Sequence, residues 1–125
     1  MKESIFTNNA PVAIGPYSQG IKVGDLLFVS GQIPVDPASG VMPEDISEQT
    51  RRSLANGEAI LKSANLTLSD VVKTTVFITN LDNFSKMNEV YATFFTEPYP
   101  ARSTVEVSKL PKDALVEIEL IASFK

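Results

Sequence analysis

The chain has 125 residues, 43% of them hydrophobic, and a formal net charge of −4 from 15 acidic and 11 basic side chains. That length makes one domain with a core of its own, the apolar content excludes a disordered chain, and an acidic balance without charge blocks disfavours non-specific nucleic-acid binding. With no cysteine and no histidine, the chain has no disulfide, no thiolate nucleophile, no imidazole base and none of the usual donors of a transition-metal cluster.

In chain order, a short strand is expected at Ser4–Phe6, followed by a polar turn over Thr7–Pro11. Gly15 to Gly20 reads as a shaped loop feeding a strand at Ile21–Val23, and Gly24-Asp25 turns the chain into a second arm at Leu26–Ser30. Beyond Gly31-Gln32, Pro34 removes a ladder hydrogen bond, so Ile33–Val35 belongs at an edge or in irregular backbone. The period then changes. Asp45 or Ser47 can cap a helix from Glu48 to Ala64, whose mid-helix Gly57 costs about 1 kcal/mol relative to alanine and so marks close approach to the sheet. Val71–Ile78 is β-branched enough for a strand, with a central place in the sheet as one option. Phe84, Met87, Val90, Tyr91, Phe94 and Phe95 recur at helical spacing and predict a second helix, ended by Pro98 and Pro100. Arg102–Val107 and Ala114–Phe124 follow as the last two strands, joined by Leu110–Asp113. The expected fold class is α+β: one mixed sheet of about six strands with two helices on one face.

Such a sheet leaves its other face bare. Leu27, Val29, Leu115, Ile121 and the carboxylate face of the last strand are expected there, covered by another copy of the chain or partly wet. No run is apolar enough to cross a bilayer, and Met1–Phe6 lacks an apolar signal core, so a cytoplasmic protein is expected.

Glu117 and Glu119 interrupt the apolar last strand, and a buried carboxylate needs a partner. Glu117 is either the base or orienter of a water or half of a structural ion pair; Glu119 shares its face and has Lys109 and Lys112 as candidate partners. Arg102 follows the rigid Pro98-Tyr99-Pro100, and its planar fork suits a small carboxylate, against the plainer reading of a surface ion pair. If the last two strands form a simple hairpin, Arg102 and Glu117 lie roughly 13 Å apart along the sheet, which favours a site shared between subunits. Ser30 and Gly31 can offer a hydroxyl and a closely approached amide to a ligand, or simply form a satisfied turn. Tyr17 can wall a pocket or pack, and Asn88 can turn into a cleft or face solvent.

Four ordered motifs carry a resemblance: Gly15-Pro16-Tyr17-Ser18-Gln19-Gly20-Ile21, Phe28 to Pro34, Pro100-Ala101-Arg102-Ser103-Thr104, and Leu110 to Glu119. Over essentially its whole length the chain resembles the RidA family, the reactive-intermediate deaminases formerly grouped as endoribonuclease-like translation inhibitors. The resemblance implies a chorismate-mutase-like fold, a homotrimer with clefts between subunits, and hydrolysis of 2-imino acids such as 2-iminopropanoate and 2-iminobutanoate to 2-keto acids and ammonia, without a cofactor. It implies that Arg102 binds the substrate carboxylate, that Glu117 positions water, and that Tyr17, Ser30, Gly31 and Asn88 line the same cleft. Many relatives carry cysteine where this chain has Thr104, which keeps a hydroxyl at that substrate-binding position. The competing readings are a 2-keto-acid-binding or regulatory trimer without turnover, an RNA-binding protein or endoribonuclease, which the net acidity and missing histidines oppose, and a structural or chaperone-like role.

Overall fold

Why the sheet forms where it does is clearest at an interior strand next to its edge. The computed structural model describes residues 1–125, and β4 (Val71–Ile78) lies between β6 (Val116–Ser123) and β5 (Ala101–Glu106). Its side chains alternate between a buried, wholly β-branched row, Thr74, Val76 and Ile78, and a half-buried row, Lys73, Thr75 and Phe77. The remaining strands, β1 (Glu3–Ile5), β2 (Gly20–Val23) and β3 (Leu26–Gln32), complete a six-stranded sheet of order β1-β2-β3-β6-β4-β5. All pairings are antiparallel except β4 with β5. Two helices, α1 (Ile46–Ser63) and α2 (Phe84–Tyr91), pack on one face, giving the mixed-sheet, chorismate-mutase-like α+β fold.

The expected hairpin of the last two strands does not form. Helix α2 carries the chain back so that β5 runs parallel to β4, and β6 then takes β4's other edge, which separates β5 from β6 by a whole strand. A second correction concerns β3. Leu27 and Val29 face the helices and are fully buried, while Leu26 and Phe28 share the open face with Ile121. Four consecutive apolar residues at 26–29 carry no alternation from which to read a face. Leu115 is half-buried and packs against the core.

Helix α1 begins two residues before the expected start because Asp45 caps it, accepting from the Glu48 amide at 3.0 Å. Leu54, Ile60 and Leu61 meet Val116, Ile118 and Leu120 of β6, and at Gly57 a Cβ would stand 2.7 Å from Leu120 Cδ1, the close approach its glycine implies. Helix α2 stops at Tyr91, short of Phe94 and Phe95, where the backbone bonds tighten to three-residue steps and Thr93 Oγ1 donates to the Val90 carbonyl at 2.6 Å. Phe95 stays buried against the Tyr91 ring, 4.7 Å between centroids.

A polar row on α1 holds the irregular segments that follow β3. Ser53 Oγ donates to the Gln32 carbonyl at 2.6 Å, and Asn56 Nδ2 donates to the carbonyls of Ile33 and Val35 at 3.1 and 2.9 Å. The stretch around Pro34 is thus irregular backbone, as the missing donor requires, with its carbonyls satisfied by a helix instead of a strand. Replacing the fully buried Asn56 by leucine leaves the Val35 carbonyl without a donor and the Ile33 carbonyl with the Val35 amide alone. Asn56→Leu is expected to lower unfolding stability by about 1–3 kcal/mol in urea titrations, and an unchanged or raised stability would contradict this assignment.

Candidate active site

Arg102 stands on the edge strand β5, in register with Thr74, and its side chain lies on the helix-covered side of the sheet. Its Nη1 donates to Asn88 Oδ1 at 2.7 Å, and its guanidinium lies 4.7 Å from the Tyr91 ring and 5.5 Å from that of Phe84. The Tyr91 and Thr74 hydroxyls share a buried hydrogen bond of 2.7 Å, which fixes the ring beneath the cation. Burial pushes the Tyr91 phenol above its ordinary value of 10.0, against the opposing pulls of the Thr74 bond and the Arg102 charge.

The surface ion pair does not occur. The chain's ion pairs are Arg51–Glu48, Lys109–Asp113 and Lys125–Asp25, none involving Arg102. The guanidinium is held by a neutral acceptor and two aromatic faces, so its charge and most of its donors stay available to an anion. It opens into a cavity of about 440 Å³ walled by Asn88, Tyr91, Ala92, Tyr99 and Pro100. Thr104, two residues along β5 and on the same side, buries a hydroxyl oxygen that has no partner within the chain.

Glu117 occupies the other face of the sheet. It sits opposite Phe77 on β6, in the row that alternates with the buried Val116, Ile118 and Leu120. Between Val29 and Gln32 the β3–β6 register slips by one residue, so Ser30 and Gly31 form a bulge in the ladder. The Glu117 carboxylate lies directly over Gly31, where any Cβ would fall within 2.8 Å of its carboxyl carbon. Burial pushes the Glu117 carboxyl above its ordinary value of 4.5, and the Glu119 charge adds to the rise. Neither Lys109 nor Lys112 pairs with Glu119, since Lys109 bridges to Asp113 at 3.6 Å instead.

Ser30 spends its hydroxyl on structure. Its Oγ donates to the Ser18 carbonyl at 2.6 Å and its amide to the Gln19 carbonyl at 2.9 Å, pinning the loop that carries the exposed Tyr17. The buried Gln19 amide group accepts from the Thr7 amide at 2.7 Å and donates to the Pro11 carbonyl at 2.8 Å, so the whole segment is tied down. Tyr17 and Gly31 then border one cavity of about 200 Å³.

The candidate residues therefore form two groups: Tyr17, Ser30, Gly31 and Glu117 in one, and Asn88, Arg102 and Thr104 in the other. Thr74 and Phe77, their respective partners on β4, are three residues apart, and β5 and β6 lie on opposite sides of β4, which puts Arg102 and Glu117 about 14 Å apart and on opposite faces. Asn88 turns toward Arg102, not toward solvent. Sequence reading treats Phe84 and Tyr91 as helix core and overlooks them as the seat of the arginine. The signal was present: Phe84, Asn88 and Tyr91 follow the i, i+4, i+7 spacing of one helix face, with an amide between two rings.

The sheet thus carries an arginine without a counter-charge on its helix-covered face and a shielded carboxylate on its open face. The endoribonuclease L-PSP family model matches residues 7–124. The chain is 58% identical to a RutC family protein of Pyrococcus horikoshii and 53% identical to the 2-iminobutanoate/2-iminopropanoate deaminase of Salmonella typhimurium, each match covering 98% of both chains. The crystal structure of E. coli TdcF with bound serine superimposes with a TM-score of 0.93 at 51% identity, covering 97% of this chain and 98% of that one. The chain belongs to the RidA/YjgF/RutC family, which carries the older description endoribonuclease L-PSP.

The raised carboxyl gives a pH test. Because the folded chain holds the Glu117 proton to higher pH than the unfolded chain, this group's contribution to stability is fully present below 4.5 and is lost as pH rises through its folded value. Glu119→Gln removes the repulsion, so the Glu117 midpoint should fall in a carbon-detected NMR titration. Stability should rise at neutral pH, with a gain that fades in acid. An unmoved midpoint would show that the two carboxylates do not interact.

Proposed function

We propose that the protein is a cofactor-independent deaminase that hydrolyses 2-imino acids, among them 2-iminopropanoate and 2-iminobutanoate, to 2-keto acids and ammonia. The observation that carries the reading is Arg102, seated by Asn88, Tyr91 and Phe84 without any carboxylate of its own chain. The Salmonella relative's name, 2-iminobutanoate/2-iminopropanoate deaminase, and the amino acid held by E. coli TdcF support the same class of ligand, a short carboxylate with nitrogen on the adjacent carbon.

The proposed site lies between neighbouring copies in a homotrimer, where the Arg102 face of one copy meets the Glu117 face of the next. Within one chain the two groups lie on opposite sides of the sheet, and an open sheet face with Phe28 and Val105 each 42% exposed offers the surface for such contact.

Arg102 clamps the carboxylate through paired charge-assisted bonds, which sets the imine carbon at a fixed distance from Glu117. Tyr17 and the backbone at Gly31 border the reacting end, and the free Thr104 hydroxyl supplies one more polar contact. Starting from the protonated imine, Glu117 takes a proton from water as the water oxygen bonds to the imine carbon, giving a neutral carbinolamine. It returns that proton to nitrogen; the carbon–nitrogen bond then breaks as the hydroxyl oxygen gives its own proton to Glu117 and becomes the carbonyl, and ammonia leaves. Burial and Glu119 both raise the proton affinity of Glu117, which makes it a stronger base than an exposed glutamate.

Imines released in situ from amino acids and trapped by semicarbazide give the assay. Arg102→Lys keeps the charge and loses the fork, and should lower kcat/KM about 10–100-fold, chiefly through KM. Glu117→Gln should lower kcat about 100- to 10,000-fold with little change in KM. Wild-type rates in both folded variants would refute the mechanism.

A further inference from the structure

The cavity beside Gly31 is larger than the smallest proposed substrates need. Its volume is about 200 Å³, whereas a dry cavity of about 150 Å³ holds benzene, so a methyl or ethyl group would leave most of it unfilled. Most of its wall area is apolar, from Val12, Ile14, Tyr17, Ile33, Val35 and Pro37 among others.

Three stretches that border the recess are also set in advance. Gln19 ties the Thr7–Pro11 segment, Asn56 ties the carbonyls of Ile33 and Val35, and the Asp36 turn closes through bonds from the Gly40 amide to the Asp36 carbonyl at 2.8 Å and from the Asp36 amide to the Val41 carbonyl at 2.9 Å. A preformed apolar recess needs no ordering when it is filled, so its burial energy goes into binding.

Four polar side chains also border it. The Gln19 amide is spent on Thr7 and Pro11, and the Gln32 amide donates to the Ser30 carbonyl. Asp36 accepts from the Ala38 amide, and Lys112 lies opposite in sign to Asp36, so the rim favours neither an acidic nor a basic group. The recess reaches Gly31, over which the Glu117 carboxylate lies. A substrate whose reacting carbon stands at Glu117 would therefore have its side chain next to this recess.

We infer that this recess is the substrate's side-chain pocket, and that the protein prefers 2-imino acids with branched aliphatic or aromatic side chains over those with methyl or ethyl groups. The inference rests on the imine-hydrolysis reading and deepens it by naming the side-chain class.

The test compares binding and turnover on the full-length protein. By calorimetry, 4-methyl-2-oxopentanoate and phenylpyruvate should bind at least about tenfold tighter than pyruvate, since each buried carbon in an apolar pocket is worth about a factor of 10 or more. 2-Oxoglutarate should gain no such advantage. The imines generated from leucine and phenylalanine should outrank the alanine-derived imine in kcat/KM by a similar factor. Val12→Trp, at an exposed loop position, should cut the leucine-over-alanine ratio at least about tenfold by filling the recess.

Equal or tighter binding of pyruvate, a preference for 2-oxoglutarate, or an equal loss on all imines in Val12→Trp would overturn the assignment. Keto-acid binding in the expected order without turnover of any imine would uphold the pocket and refute the deaminase. Turnover indifferent to side-chain size would do the reverse.

Discussion

Strand β4 sits between β5 and β6, and a strand sends successive side chains to opposite faces of the sheet. The arrangement of the candidate site follows from these two facts. Arg102, aligned with Thr74, is committed to the helix-covered side, and Glu117, aligned with Phe77, to the open side. No side-chain rotation brings them together, because a core of Val76, Ile118 and Leu120 lies on one face and a sheet lies between. A one-residue slip of β6 would exchange Glu117 and Glu119 for Ile118 and Leu120, exposing the core and burying two carboxylates, so the register is strongly held.

The two half-sites solve different electrostatic problems. Arg102 has to stay charged and unneutralised near a protein core, and it does so against the faces of Tyr91 and Phe84 with a single neutral acceptor, Asn88. A protein carboxylate in place of Asn88 would hold the guanidinium more strongly and compete with any anionic ligand. Glu117 has the opposite task. Partial burial over Gly31 beside Glu119 raises its proton affinity, and only a glycine leaves room for it to lie there.

Much of this was legible in the chain itself. Val71–Ile78 was readable as a strand to the residue, since its β-branched composition has no helical competitor, and Gly57 announced a close approach to the sheet, which the fold makes at Leu120 of β6. The pairing of β5 with β4 was not, because a parallel crossover is a non-local choice that local spacing does not encode. The face of β3 was lost for a different reason: an unbroken apolar run has no alternation to read. The site residues were nominated by motif, but what holds them was not. Asn88 reads as an ordinary helix-surface amide until α2 is laid against β5, and Ser30 stays open between a ligand hydroxyl and a satisfied turn until its Oγ is seen to donate to the Ser18 carbonyl.

The central claim is that arginine and glutamate meet only across two copies of the chain. Arg102→Ala and Glu117→Ala proteins, each inactive alone, can be denatured together in equal amounts, refolded and assayed for imine hydrolysis. If each cleft draws its arginine from one copy and its glutamate from another at random, about one quarter of the wild-type activity should return. A mixture that assembles into hybrid oligomers and stays inactive would place both groups of each working site in a single chain, and would contradict the account.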